Sequence, residues 1–240
     1  MIIKKLLLST LLLISIFNKT FTLEATATLT EEELQLQRYL SSLEKTKDYL
    51  LESLLEMKTT DELNQEKARL NNLSTSYTNS MNRSNNENEK IFFQLYLEFI
   101  DQVLLSIDRL IARIETIATL TLRAELENAL VDAQAMAGGL SQSSDKVDQT
   151  EGSFINQTII PLIQEKLDVM AEQLEQYLAS LERTKDDLLN KLLGMKTIDE
   201  LNQEKARLNN LSTSYTNSMN RSNNENEKIF FQLYLEFIDQ

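Results

Sequence analysis

The chain has no cysteine, no histidine and no tryptophan. Without cysteine there is no disulfide and no thiolate nucleophile, and without histidine there is no imidazole base. The loss of both removes the usual zinc ligands, so a bound metal would have to be a hard cation on oxygen ligands. Glycine is held to 4 residues and proline to 1, so few positions break a helix and long helices are expected. Positive charge is also short: 24 Lys+Arg face 37 Asp+Glu, for a net charge of -13. Phosphate backbones are bound through basic patches, so nucleic acid is excluded as a partner. No phosphate loop, nucleophile–base pair or EF-hand spacing occurs. The nearest acidic cluster, "DKVDQTEG" at 145–152, has its carboxylates at the wrong positions. The remaining carboxylates read as solvated helix faces, no cofactor is indicated, and an enzyme is not expected.

What is present begins with "MIIKKLLLSTLLLISIF". Lys4 and Lys5 precede an apolar run from Leu6 to Phe17, which is shorter than the roughly 20 residues that span a bilayer. This is the pattern of a secretory signal peptide over residues 1–22, with cleavage as late as 27. The alternative is a buried first helix. Of the later stretches, 91–111 is the most apolar, but Glu98, Asp101, Asp108 and Arg109 make it costly in lipid. A secreted chain without stable membrane insertion is therefore expected.

Residues 39–102 recur without gaps at 177–240, and from Asp61 and Asp199 onward the copies are identical. Seven pairs differ before that point: Ser41/Ala179, Lys45/Arg183, Tyr49/Asp187, Glu52/Asn190, Ser53/Lys191, Glu56/Gly194 and Thr60/Ile198. At about 100° per residue these fall on one helical arc, opposite the unchanged apolar residues. Leu36, Leu40, Leu43, Leu50, Leu54 and Met57 step by fours and threes, with Lys47 as the charged member of the row. Such a row is the seam of a coiled-coil-like bundle. Lys47 either snorkels to solvent or sets the register against an acid. A second stripe carries Leu70, Leu73, Tyr77, Ile91, Leu95 and Phe99. Between Tyr77 and Ile91 lies an Asn-rich tract. It keeps the phase of this stripe and is expected to stay helical, with Ser84 and Asn88 as its weak points; each Asn costs about 0.5 kcal/mol relative to Ala.

The expected fold is all-α: long amphipathic helices in antiparallel hairpins, tandemly duplicated. "TEEE" at 30–33 is a capping box, and "KTTDEL" at 58–63 and "KTIDEL" at 196–201 offer Thr or Asp caps for a second helix. Hairpin repeat 1 is assigned to 28–137, with an extended second helix running to Ala137; Gly138 and Gly139 end it. Residues 138–157 read as a linker, Pro161 opens the next helix, and repeat 2 occupies 158–240, stopping within an apolar helix. Sequons at Asn72, Asn82, Asn156, Asn210 and Asn220 are candidate N-glycosylation sites.

The signal segment, the seam beginning at Leu36, and "LNQEKARLNNL" leading into "IFFQLYLEFIDQ" resemble the trichocyst matrix and granule lattice proteins of ciliates. The resemblance implies a structural protein packed in the lumen of a secretory granule. It also implies maturation by proteolysis, with the linker as the natural cut, and expansion triggered by calcium held weakly on distributed carboxylates. Self-association or association with related helical proteins would follow. An extracellular helical binding module presenting a duplicated face is the alternative, and a membrane-active protein using 91–111 is a third class.

Overall fold

The computed structural model describes residues 30–239, which are helical with no strand among them. The signal-peptide segment lies outside the described residues. The helices are α1 (Glu31–Glu56), α2 (Thr60–Arg83), α3 (Glu87–Thr119), α4 (Arg123–Ser141), α5 (Lys146–Phe154), α6 (Ile160–Gly194), α7 (Ile198–Arg221) and α8 (Glu225–Ile238). A π-helical turn, Ile155–Ile159, joins α5 to α6 without a break.

The starts of α1, α2 and α7 are set locally. The Thr30, Thr59 and Thr197 hydroxyls accept from the backbone N–H groups of Glu33, Glu62 and Glu200 at 3.2–3.3 Å, and each glutamate reaches back to the cap residue's N–H. Two otherwise orphaned donors are thereby satisfied at each start. The backbone N–H groups of Lys58 and Thr59 hold the Glu62 carboxyl below its ordinary range, and those of Lys196 and Thr197 do the same for Glu200.

The Asn-rich tract is not a continuous helix. α2 ends at Arg83, and α3 begins after the N-cap Asn86. The Ser84 hydroxyl accepts from Asn86 N–H at 3.0 Å and donates to Glu89 Oε2 at 2.6 Å; Asn86 Oδ1 accepts from the N–H groups of Asn88 and Glu89. Short polar side chains here offer the backbone a better partner than the helix ladder does. The break resets the apolar phase. Tyr96, Phe99, Ile100, Val103, Ile107 and Leu110 line the buried stripe of α3, and Ile91, assigned to the seam, is exposed. The other assigned residues are placed inward: Leu43, Leu50, Leu54, Leu70 and Phe99 are buried, and Leu36, Leu40, Met57, Leu73, Tyr77 and Leu95 are half-buried. None of the seven substituted pairs is buried in either copy.

The break also changes the topology expected of the hairpin. α2 folds back antiparallel on α3, as Tyr77 against Tyr96 and Lys67 against Asp108 show. α1 runs parallel to α3, with Tyr39 on Phe92 and Lys47 over Phe99. Helix α3 is thus the shared partner of α1 and α2. Lys47 Nζ pairs with Glu44 at 3.1 Å while sitting 5.5 Å from the Phe99 ring centre, so it holds an acid and an aromatic face together.

Two further boundaries depart from expectation. The expected helix to Ala137 is interrupted at residues 120–122, where Lys166 of α6 donates to the carbonyls of Ile117, Ala118 and Leu120 at 2.8, 3.0 and 3.3 Å. A remote lysine therefore answers the C-terminal carbonyls of α3, with a charge that suits that end of the helix. The assigned linker 138–157 is largely helical: α4 passes through both glycines, and only residues 142–145 leave the helix before α5. Pro161 lies well inside the continuous run that begins at Lys146, as the second residue of α6, and the π-helical turn ahead of it absorbs the missing N–H.

Of the glycines, Gly152 is the one that packing requires. A Cβ there would sit 3.0 Å from Leu140 Cβ and 3.1 Å from Ala137 O and Ser141 N, where α4 and α5 meet. Added volume against fixed backbone should cost Gly152→Ala about 1–3 kcal/mol in urea unfolding. Gly138 has open space around it. Gly138→Ala should instead stabilise by about 0.5–1 kcal/mol.

Candidate interaction surface

The polar chemistry of the interior is concentrated in a few carboxylates. Glu151 on α5 is 1% exposed. Its carboxylate accepts from the buried Ser106 hydroxyl at 3.0 Å and from Arg109 Nε, with a further contact to the Arg109 terminal nitrogen. The bidentate geometry fastens α5 to α3 through a charge that would be costly if left unpaired. Asp145 and Asp148 of the same acidic cluster are also engaged: Asp145 caps Val147 N–H at 2.7 Å, and Asp148 accepts from Ser143 at 2.8 Å. The cluster is structural, and among the described residues no three acidic side chains converge as a metal site would require. Nothing in the spacing of Ser106, Arg109 and Glu151 announced this contact; "EG" at 151–152, a charge beside a glycine, was its one faint trace.

The repeats reproduce several contacts residue for residue. Tyr39 donates to Glu89 as Tyr177 does to Glu227, and Ser84 to Glu89 as Ser222 does to Glu227. Arg69 binds Glu66 as Arg207 binds Glu204. Position 53/191 makes the copies differ: the lysine present only in the second copy reaches Glu204 at 2.5 Å. Hydrogen bonds from Arg207 and then Lys191 hold the Glu204 carboxyl down to about 2. Burial pushes the Tyr96 phenol up to about 12.

No protein-family model, curated protein or solved structure matches the chain. Its surface must be read on its own terms. The five sequon asparagines, Asn72, Asn82, Asn156, Asn210 and Asn220, are all exposed, but all lie on helical backbone. No helix among the described residues is long and apolar enough to cross a membrane. The groove along α6, lined by Pro161, Glu165, Asp168, Val169 and Glu172, is shallow and open.

The exposed apolar residues have a clearer pattern. In the first copy Leu51 and Leu63, either side of the α1–α2 turn, are 6% and 0% exposed. Their duplicates at the α6–α7 turn, Leu189 and Leu201, are 48% and 47% exposed. Leu193 and Ile198 beside them reach 84% and 77%. The opposite end of the second repeat is closed: Leu181, Leu188 and Tyr234 are buried like their counterparts Leu43, Leu50 and Tyr96. The elbow between α6 and α7 therefore exposes Leu189 and Leu201, whose counterparts Leu51 and Leu63 are buried in the first copy.

Two results should follow from the carboxylates. Arg109→Met leaves Glu151 buried without its cation and should cost about 3 kcal/mol in urea unfolding, much of it recovered by Glu151→Leu in the same chain. Glu204 has its folded value lowered from 4.5 to about 2, so its contribution to stability is present above pH 4.5 and is lost as pH falls toward 2. Carbon-detected NMR should place the Glu204 titration near that lower value, and Lys191→Ser should move it upward.

Proposed function

We propose that the chain is a structural, self-assembling helical protein of a secretory compartment, of the kind that packs into a granule core and responds to calcium. The observation that carries this reading is the apolar elbow at Leu189, Leu193, Ile198 and Leu201, which helix–helix association would bury. The acidic balance of 37 Asp+Glu over 24 Lys+Arg supports it as well, since closely packed copies repel one another until a cation screens them. Weak calcium binding would act through these distributed carboxylates; no single cage is invoked. The resemblance to ciliate trichocyst matrix and granule lattice proteins agrees with this role.

A binding module is the second reading. It is favoured by the outer faces of α2 and α7, where the pairs Asn72/Asn210 and Asn82/Asn220 are exposed alike. Stoichiometric recovery of one unrelated partner on the immobilised chain would choose it over assembly.

Sedimentation velocity of the chain lacking residues 1–27, over a range of concentrations and with or without millimolar calcium, tests the assembly reading. The expected result is a mass that rises with concentration and rises further with calcium. A monomer indifferent to both would overturn it.

A further inference from the structure

We infer that an exposed face of α1, carrying Arg38 and Lys45, docks on an exposed face of α6, carrying Glu165, Asp168, Glu172 and Glu175, in a second copy of the chain. The inference rests on the assembly reading and names the two surfaces that join the copies.

Each face is a shallow groove along one helix. Leu34, Gln37, Ser41 and Ser42 line the α1 groove with its two cations, and no acid is among them. The α6 groove sets its four acids around Pro161 and Val169, and no cation is among them. All of these side chains are exposed. Arg38 and Lys45 have no ion pair or hydrogen bond among the described residues, and the same holds for Glu165, Glu172 and Glu175. Asp168 accepts from Gln164, its neighbour on the same helix, at 3.3 Å. Both faces are open in one molecule, so the contact between them falls to a second copy.

The duplication sets the two faces in one register. Carried upstream, the alignment of Tyr39 with Tyr177 places Leu34, Gln37 and Arg38 against Glu172, Glu175 and Gln176. The same side of the helix is thus basic in α1 and acidic in α6. The α1 side stays open with α3 and α5 both packed on that helix, so its exposure belongs to the face itself. Arg38 and Lys45 are seven residues apart, as are Glu165 and Glu172, and Asp168 and Glu175. About two turns of helix, or roughly 10 Å, separate the members of each pair. Both cations therefore meet acids at once when the two helices lie side by side, and complementary charge of this kind fixes partner and register. Leu34 and Val169, 39% and 47% exposed, give the contact apolar surface to bury. Because the two faces differ, each docking leaves one of each kind free, and copies add head to tail.

The test is sedimentation velocity of the chain lacking residues 1–27, unchanged and with either face reversed in charge. One variant carries Arg38→Glu and Lys45→Glu; the other carries Glu165→Lys, Asp168→Lys, Glu172→Lys and Glu175→Lys. Both should keep the helical circular dichroism of the unchanged chain, since every substituted residue is exposed. Each variant alone should raise the dissociation constant for self-association at least about tenfold, as opposed charges become like charges. The milder Arg38→Gln with Lys45→Gln should raise it about threefold. An equimolar mixture of the two reversed variants should associate again, because each reversed face meets its opposite on the other chain. Damage to folding could not produce that recovery. Association unchanged by the variants, or not restored on mixing, overturns the inference and leaves the assembly reading standing. An unchanged chain that is monomeric with and without calcium overturns both.

Discussion

Helix α3 must bury an apolar stripe along most of its 33 residues, and the rest of the first repeat is arranged around that need. α1 lies along it in parallel and α2 returns against it, while α5 is tied to it by Glu151. Lys166 closes its far end by answering the last carbonyls. An amphipathic helix this long has no stable exposed state in water, so each neighbour gains its place by covering part of the stripe. The second repeat makes the dependence visible. There α6 and α7 both pack on α8, and Leu181, Leu188 and Tyr234 are buried like their counterparts Leu43, Leu50 and Tyr96.

The buried carboxylates inside this frame are few, and each is paired with a cation. Glu151 has a serine and an arginine, and Glu204 has an arginine and a lysine. The change from Ser53 to Lys191 lies on the outer arc of its helix, yet its long side chain reaches a buried carboxylate on the next helix. A substitution that looks superficial on a helical projection thus alters the electrostatics of the interior, because four methylenes carry the charge from one face to another.

Much of the helical content was legible in the sequence. The threonine caps with glutamate three residues on, the row from Leu36 to Met57 and the scarcity of glycine and proline each mark a local requirement that tertiary contacts did not override. What was not legible depended on competition or on distant partners. The break at 84–86 carries the same cap pattern, Asn86 with Glu89, but an intact apolar phase across the tract argued for continuity, and Ile91 was misplaced as a result. The stop at 120–122 has no glycine or proline to announce it; its carbonyls are answered by a lysine 46–49 residues away. Gly138 and Gly139 looked like punctuation and are ordinary helical residues, whereas Gly152, within the assigned linker, sits where α5 packs against α4 too tightly for an added Cβ. The polar contact of Ser106, Arg109 and Glu151 requires three turns of two helices to be in place before it exists, and periodicity carries no record of that.

The continuous helical run from Lys146 to Gly194 has a bearing on how such a chain could be divided. A protease needs backbone outside a helix, and within the assigned linker 138–157 only residues 142–145 offer it. A nick there would not separate one copy from the other. It would sever α4 from α5 while Glu151 still gripped Arg109 and Phe154 and Ile155 stayed in the common core. The two pieces would remain a single folded body, joined by packing where they had been joined by a peptide bond.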